Sequence, residues 1–384
     1  MRRIRRIFLY GCAISSLFLT ACWNYRDIDQ LTIAVGVAID KTSGGKYLIT
    51  VETSDMHEAG REGKVKSTLI KSEGESVFDA ARNAINQNSP KIYWGHATTV
   101  IISQEIAREG VADVIDFFYR DAELRLGMEL FVSECETAKE IFDAKSIGTE
   151  IRSTEISDIL KDQRNLSKAV PVQIHRFISA MMGEGKSPVM PSVCVEETDG
   201  EKTLKLCGTA VFKKDRLLGF LNEDETKSLN FVLDNVNGGI IVVKTGSGAD
   251  EGRIAMEIIK CDTKVKPVCS EDKISMEVGI RLKVAIDDYN TEDDFTDTKG
   301  RAVLTKLAEE QLKQEIESVV RKVQRNFNSD IFCFGNCIYR NEPELWKKYG
   351  KDWDVLFRDL EVSVKPVITI EHSGLLSKPI KKGG

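Results

Sequence analysis

The N-terminal segment constrains the fold most, because it divides the chain into a part that is removed and a part that folds. Four arginines lie within the first six positions, and an apolar run of 13 residues follows from Ile7 to Leu19. A helix needs about 20 apolar residues to cross roughly 30 Å of hydrocarbon, so this run is too short to span a bilayer comfortably. A basic start with a short apolar core is typical of a secretory signal peptide. The sequence therefore predicts an exported protein.

The apolar run ends in Leu19-Thr20-Ala21-Cys22, which resembles the lipobox of bacterial lipoproteins. In that class a lipid is attached to the cysteine thiol, and cleavage leaves the cysteine at the new N-terminus. The alternatives are an ordinary secretory signal with a chance cysteine, or a short N-terminal anchor. We expect residues 1–21 to be removed as a signal peptide and a covalent lipid to be attached to Cys22. Two acyl chains on one residue would hold the protein stably at a membrane, whereas one chain binds marginally.

Composition excludes several classes of protein. Hydrophobic residues make up 42% and charged residues 30% of the chain, which fits neither a polytopic membrane protein nor a disordered chain. The formal charge is −6, and loss of the four arginines in residues 1–21 lowers Lys plus Arg from 54 to 50 against 60 acids, which gives −10. We expect no nucleic-acid partner, since such binding needs a basic face. No stretch after Cys22 is apolar enough to span a bilayer, so a signal across the membrane requires a partner.

Helix and strand patterns interleave along the mature chain, which predicts a mixed α/β fold of the α+β type, with mixed sheets packed by helices. A long helix is predicted from about Lys299 to Phe327, with Val303, Leu307, Ile316, Val319, Val323 and Phe327 as its apolar stripe. The breaker-rich segment Gly183–Pro191 predicts a connector between domains. We expect three serial domains: an N-terminal α/β domain (22–190), a strand-rich middle domain with one helix (191–262) and a C-terminal α/β domain with the long helix (263–384).

No spacing of residues predicts an active site or a metal site. The segment Gly183-Glu184-Gly185-Lys186-Ser187 lacks the first glycine of a phosphate-binding loop, because Ala180 stands at that position. The acidic loop Asp287–Asp297 lacks the glycine and the alternating ligands of a calcium-binding loop. We therefore expect no catalytic residue, no cofactor-binding residue and no metal ligand.

The four histidines do not show the spacing of metal ligands. They are His57, His96, His175 and His372. A metal site would need them to converge from distant parts of the chain. His96 falls on a predicted buried strand, Ile92–Ser103, and we expect it to be a hydrogen-bonded core side chain.

Seven cysteines remain once Cys12 is removed and Cys22 carries the lipid. An odd number does not complete a disulfide framework, and a chain of this size folds without bridges, so buried free thiols are the expectation. A disulfide between Cys194 and Cys207, or between Cys333 and Cys337, stays open as an alternative.

Short stretches that lie in order along almost the whole mature chain carry a resemblance to a known family. They are Cys22–Ile28, Val35–Asp40, Ile92–His96, Glu105–Gly110, Phe117–Asp121, Gly208–Asp215 with Gly219, Gln324 with Ser329–Phe332, and Gly335, Trp346 and Trp353. Together they resemble the Ger(x)C spore germination lipoproteins, which are the C subunits of nutrient germinant receptors. Cys333 and Cys337 depart from that pattern.

The resemblance implies a three-domain α/β lipoprotein on the outer surface of the inner membrane of a dormant spore. It implies partnership with two integral membrane proteins, an A subunit and a permease-like B subunit, in a complex that senses small nutrients and triggers germination. We therefore expect a non-enzymatic, lipid-anchored receptor subunit. Whether this subunit itself binds the nutrient stays open.

Two hypotheses from other classes remain. The first is a lipid-anchored extracytoplasmic solute-binding protein that captures the nutrient itself, although the serial layout shows no crossing back between two lobes. The second is an envelope hydrolase, whose active site would assemble in space rather than in sequence.

Overall fold

The fold is described from a computed structural model, which covers residues 3–6, 10, 31–55, 66–87, 91–145, 150–245, 252–270, 273–290, 295 and 297–373. Within these ranges the chain forms two β-sheets with helices packed on them, which confirms the predicted mixed α/β fold. No helix of the described ranges is both long and apolar enough to cross a membrane.

The first sheet has parallel strands at its centre and an antiparallel hairpin on each side. Its strands are β1 (Leu31–Lys41), β2 (Tyr47–Asp55), β3 (Lys66–Gly74), β4 (Lys91–Tyr93), β5 (Thr99–Ile102), β6 (Glu129–Ser133), β7 (Val189–Thr198), β8 (Glu201–Lys213) and β9 (Arg216–Leu221). The order is β3-β2-β1-β5-β6-β7-β8-β9, with β4 also paired to β1. Strands β1, β5, β6 and β7 run parallel, so their N-terminal ends meet at one edge.

Helices cover both faces of this sheet because its central strands are apolar on both sides. Along β1, Val37 and Ile39 face one core while Ala38 faces the other. The first core is completed by α1 (Val77–Asn83), α2 (Gln104–Glu109), α3 (Ala112–Arg120) and α6 (Ile174–Met181), and the second by α4 (Glu140–Asp143) and α5 (Arg152–Asp162).

Two buried carboxylates from the strands hold the starts of α4 and α5. Asp40 accepts hydrogen bonds from Ala138 N at 2.6 Å and from Lys139 N at 3.0 Å. Glu52 accepts from Arg152 N at 2.7 Å and from Ser153 N at 2.8 Å. The first N–H groups of a helix lack intrahelical partners, and these carboxylates cap them. At α4 the Thr137 hydroxyl adds a local cap, since it accepts from Glu140 N at 3.3 Å.

The second sheet has the order β10-β11-β12-β13, with the last two strands parallel. Its strands are β10 (Ile240–Thr245), β11 (Gly252–Ser270), β12 (Lys273–Asn290) and β13 (Glu361–Ser373). The helices of this half of the chain are α7 (Glu223–Val232), α8 (Thr298–Lys322), α9 (Phe334–Asn341), α10 (Pro343–Tyr349) and α11 (Trp353–Asp359), and a π-helical turn at Val323–Phe327 extends α8.

The long predicted helix is confirmed as α8 and the π-helical turn, but part of its predicted stripe is wrong. Val303 and Leu307 are 52% and 41% exposed. The buried residues instead recur every fourth position, at Leu304, Ala308, Leu312, Ile316 and Val320. Both series satisfy a helical period, and only the position of the sheet decides between them.

Side chains of α8 also close both edges of the second sheet. On β13, Val364 N donates to Glu317 at 3.4 Å and Ile368 N donates to Glu309 at 2.9 Å, and Pro366 between them has no N–H. On β10, Gln311 donates to Val242 O at 2.9 Å and accepts from Lys244 N at 3.4 Å. An unpaired strand edge is a template for association with other chains, so these contacts protect the sheet.

The three-domain division stays a prediction, but both of its internal boundaries fall inside strands. The boundary at 190/191 lies in β7, which pairs with β6 on one side and β8 on the other. The boundary at 262/263 lies in β11. The predicted connector Gly183–Pro191 joins α6 to β7 within the first sheet.

Candidate functional site

The predicted lipid-attachment residue, Cys22, lies outside the described residues, as does His57. Attachment of a lipid at Cys22 therefore stays a prediction. His175 is exposed, and its Nδ1 lies 3.1 Å from Leu126 O. His372 lies on β13. Within the ranges that the structure describes, no group of His, Cys, Asp and Glu could hold a metal ion.

His96 is not a core residue, contrary to the prediction. The predicted strand Ile92–Ser103 is two strands, β4 and β5, and the turn between them carries His96 on the surface. The nearest aromatic contact of its imidazole is edge-to-face with Tyr93, at 5.8 Å between ring centroids. Gly95 lets the Tyr93 side chain pack against this turn, because a Cβ at position 95 would lie 2.5 Å from the Tyr93 hydroxyl.

This turn forms one wall of a cleft of about 420 Å³ at the N-terminal edge of the parallel strands. The opposite wall is α5, which contributes Thr154, Ser157 and Lys161, and Arg125 and Glu129 lie between the walls. Ser157 Oγ donates to Glu129 at 2.7 Å and lies 3.2 Å from Thr99 Oγ1. Burial raises the pKa of the Glu129 carboxyl.

The first cleft combines hydrogen-bonding groups with charges of both signs. The Ser157 hydroxyl donates to the half-buried carboxylate of Glu129. The same recess holds two cations, Arg125 and Lys161, of which Lys161 also pairs with Asp158 at 2.9 Å. Charges of both signs in one recess suit a small zwitterionic or polar molecule.

A second cleft of about 540 Å³ lies between α1, α3 and the start of β2. Tyr47, Phe78 and Phe117 give it an aromatic wall, with 6.2 Å between the ring centroids of Phe78 and Phe117. Arg120 binds both carboxylate oxygens of Asp116 at 2.7 Å, which neutralises part of the acidic rim. The stretch Phe117–Asp121, one of those that carry the family resemblance, therefore lines this cleft.

A buried carboxylate holds together the segment of the second half of the chain that contacts the first sheet. Asp330 accepts hydrogen bonds from Gly335 N at 2.8 Å, Phe334 N at 3.1 Å and Trp353 Nε1 at 3.0 Å. Burial raises the pKa of the Asp330 carboxyl to about 7, although all three donors favour its charged form. One side chain thus accepts hydrogen bonds both from the first N–H groups of α9 and from the Trp353 indole, which holds the segment around Asp330 in place.

The same segment binds the first sheet through its backbone, and we call this contact the inter-sheet joint. Ser187 N donates to Asp330 O at 2.8 Å, and Asn336 N donates to Gly185 O at 2.6 Å. Ser329 Oγ donates to Phe212 O at 2.5 Å. Gly185 and Gly335 meet so closely that a Cβ on either would lie within 2.7 Å of the other residue. Gly185 of the predicted connector therefore permits close packing against Gly335.

Of the two disulfides that the sequence left open, the structure contains one. Cys194 and Cys207 form a disulfide between β7 and β8, with their Cα atoms 6.1 Å apart. Cys333 and Cys337 are free, and burial raises the pKa of the Cys333 thiol to about 12, which makes it unreactive. The expectation of free thiols throughout is therefore wrong for one pair.

No local pattern in the sequence predicts the clefts or the inter-sheet joint. Gly185 and Gly335, or Glu129 and Ser157, are far apart in the chain, and nothing near them pairs them. The stretches that carry the family resemblance do point to both places: Gly95 and His96 line the first cleft, and Ser329–Phe332 with Gly335 and Trp353 builds the joint.

Comparison with known proteins gives consistent matches over the length of the chain. A family model described as "Spore germination protein N-terminal domain" matches residues 24–195, and one described as "Spore germination B3/ GerAC like, C-terminal" matches residues 207–374. Spore germination protein KC of Bacillus subtilis is 24% identical, with 96% of each chain covered. Spore germination protein B3 of the same organism is 25% identical, with 94% of this chain and 96% of the relative covered.

A solved structure shares the fold. The crystal structure of the GerBC protein aligns with a TM-score of 0.59 at 23% identity, over 90% of this chain and 99% of that one. The resemblance read from the sequence is thus confirmed, and the chain belongs to the GerAC-like family of spore germination proteins.

Proposed function

We propose that this protein is a lipid-anchored, non-enzymatic subunit of a spore germinant receptor, and that it works at the outer surface of the spore inner membrane. The observation that carries the proposal is the match of both family domains, in order, over residues 24–374. The lipobox-like ending at Cys22 supports the anchor. The partners are an integral membrane A subunit and a permease-like B subunit, and the protein presents a folded surface to them.

Affinity purification tests the partners. The tagged, lipidated protein is recovered from detergent-solubilised spore membranes and its companions are identified by mass spectrometry. We expect two polytopic membrane proteins to be recovered with it. Recovery of the lipoprotein alone, under conditions that keep other membrane complexes intact, would contradict the proposal.

Substitution of Cys22 tests the anchor. The Cys22→Ala variant lacks the thiol that carries the lipid, so we expect it to leave the membrane fraction and to lower germination. Cys135→Ala is the matched control, because Cys135 is a free cysteine of the folded part. Normal membrane retention of the Cys22→Ala variant would exclude lipid attachment at this residue.

A second candidate function is direct capture of a nutrient, and the first cleft is the observation that favours it. Its carboxylate and two cations could bind the two charges of a small zwitterion. Calorimetric titration with single amino acids and sugars tests this. If capture occurs there, Glu129→Gln weakens binding about tenfold or more, while Glu197→Gln, an exposed acid on β7, leaves binding unchanged. An absence of heat with every nutrient leaves only the first proposal.

A further inference from the structure

The outer face of the second sheet, opposite α8, carries an unusual density of positive charge. Pairing across β11, β12 and β13 places twelve outward side chains in four rows: Lys266–Glu277–Ser363, Lys264–Gly279–Lys365, Asp262–Arg281–Val367 and Lys260–Lys283–Thr369. The intervening positions, such as Val278, Ile280 and Leu282, are buried on the inner side. Six of these twelve outward residues are cationic and two are acidic, and we call this surface the basic face.

The basic face is open to solvent. Its six cations, namely Lys260, Lys264, Lys266, Arg281, Lys283 and Lys365, are all exposed. At its centre, a Cβ added to Gly279 would meet no atom nearer than Lys264 O at 3.8 Å. Helices α8 and α9 pack on the other side of the sheet, where Val265 and Val364 lie. The cations are therefore available to a partner.

Carboxylates neutralise only part of this charge. Glu277 forms ion pairs with Lys266, at 2.8 Å, and with Lys365. Glu371, just beyond the four rows, pairs with Lys283. Across the described ranges, Lys260, Lys264 and Arg281 form no ion pair with any acid. The basic face thus keeps a net positive charge on a chain whose formal charge is −6.

We propose that the basic face lies against the anionic surface of a phospholipid bilayer. A protein with net negative charge is repelled by such a surface, except where a positive patch faces it. Attraction between exposed charges falls off beyond about 8–10 Å at physiological ionic strength, so several cations must approach together, as an open sheet face allows. The inference rests on the proposed membrane attachment, since the nine Cα–Cα steps from Cys22 to Leu31 span about 30 Å at most and would keep the folded part near the bilayer.

Vesicle binding tests the proposal without the lipid anchor. Residues 23–384, which retain both sheets and the helices packed on them, are sedimented with vesicles of phosphatidylcholine and phosphatidylglycerol in equal parts, or of phosphatidylcholine alone. We expect binding only to the anionic vesicles, and at least a fivefold loss of affinity between 50 and 300 mM salt. Equal binding to both vesicles, or none to either at 50 mM salt, would overturn the proposal.

Charge reversal locates the surface. The triple variant Lys260→Glu, Lys264→Glu and Arg281→Glu should bind anionic vesicles at least tenfold more weakly. The triple variant Lys71→Glu, Lys202→Glu and Lys351→Glu changes the net charge equally at exposed sites elsewhere and should bind nearly as the parent does. Thermal melts confirm that both are folded. An equal loss in both variants would show an effect of net charge alone and overturn the assignment.

Direct binding to an acidic peptide separates an acidic protein from a bilayer as the partner. Calorimetric binding to a polyglutamate peptide, together with failure to bind anionic vesicles, would identify an acidic protein surface as the partner and overturn the proposal. The test is independent of the receptor assignment, because partner recovery from spore membranes does not depend on this face binding lipid. Failure of vesicle binding with both partners recovered would remove only the present inference.

Discussion

Asp330 is a buried carboxylate whose pKa differs strongly between the folded and the unfolded chain. It is 4% exposed and is surrounded by N–H donors, among them those of Phe334, Gly335 and Trp353. Desolvation penalises its charged form and raises the pKa of the carboxyl to about 7. The pKa of an aspartate in an unfolded chain is about 3.9. Between this pH and about 7, the folded state therefore binds one proton that the unfolded state has released.

The stability of the fold should therefore depend on pH in a definite direction. Because the pKa is higher in the folded state, Asp330 contributes most below about pH 4, and its contribution is lost as pH rises toward 7. We expect the Asp330 contribution to the free energy of unfolding to fall over that interval. Urea denaturation at a series of pH values, followed by tryptophan fluorescence, measures the slope.

The Asp330→Asn variant separates this titration from those of other groups. Asparagine stays neutral, so the slope between pH 4 and 7 should decrease. The asparagine amide also places its own N–H groups against the N–H donors around position 330. This should lower the free energy of unfolding by about 1–3 kcal/mol at pH 4. Asp158→Asn, at a half-exposed residue paired with Lys161, is the control and should leave the slope unchanged. An unchanged slope in the Asp330→Asn variant would show that another group titrates.

At the scale of elements, helix α8 makes two kinds of contact with the second sheet, and only one of them is predictable from its sequence. Its buried series from Leu304 to Val320 packs on the sheet, as an apolar period predicts. Its polar residues Glu309, Gln311 and Glu317 bind the backbone of the two edge strands. Polar residues on a helix are normally expected to face solvent, so the sequence does not predict that these three bind the strand edges.

Removal of the edge contacts should expose β13 to association. The double variant Glu309→Ala and Glu317→Ala leaves the N–H groups of Ile368 and Val364 without these acceptors. We expect a loss of about 1–3 kcal/mol in stability and increased self-association. Light scattering after size-exclusion chromatography measures the association. Glu310→Ala, whose carboxylate only accepts from Gln314, is the control. A monomeric double variant with unchanged stability would show that the edge needs no protection.

Local sequence patterns predict individual helices and strands better than they predict which strands pair with each other. The long helix could be predicted because its apolar residues repeat over several turns. The stretch Ile92–Ser103 was predicted as one strand because it is rich in β-branched residues, and that composition gives no sign of the turn at Gly95 between β4 and β5. The parallel order β1-β5-β6-β7 joins residues up to 63 positions apart, as between Gly36 and Thr99, and no local signal specifies such a partner.

At the scale of the whole molecule, the two family domains do not coincide with the two sheets. The N-terminal family domain ends at residue 195, inside β7, and the C-terminal one begins at 207, inside β8. Strands β8 and β9 thus complete the first sheet, although they are matched with the C-terminal domain. The inter-sheet joint adds a further connection between the two halves.

Truncation should reveal this dependence. A fragment of residues 23–195 lacks β8 and leaves most of β7 as an unpaired edge, so we expect it to aggregate. A fragment of residues 23–221 keeps every strand of the first sheet and should be more soluble. Soluble yield and light scattering compare the two. Equal solubility would mean that β8 and β9 are dispensable for the first sheet.

With the export that we propose, the disulfide between Cys194 and Cys207 gives the protein a different covalent structure on the two sides of the membrane. Thiols stay reduced in the cytoplasm, so before export only non-covalent contacts would set the register of β7 against β8. That register shifts at a bulge between Ser192 and Val193, directly before Cys194. Oxidation after export would fix it permanently. The final alignment of the sheet would then be a product of the compartment as well as of the sequence.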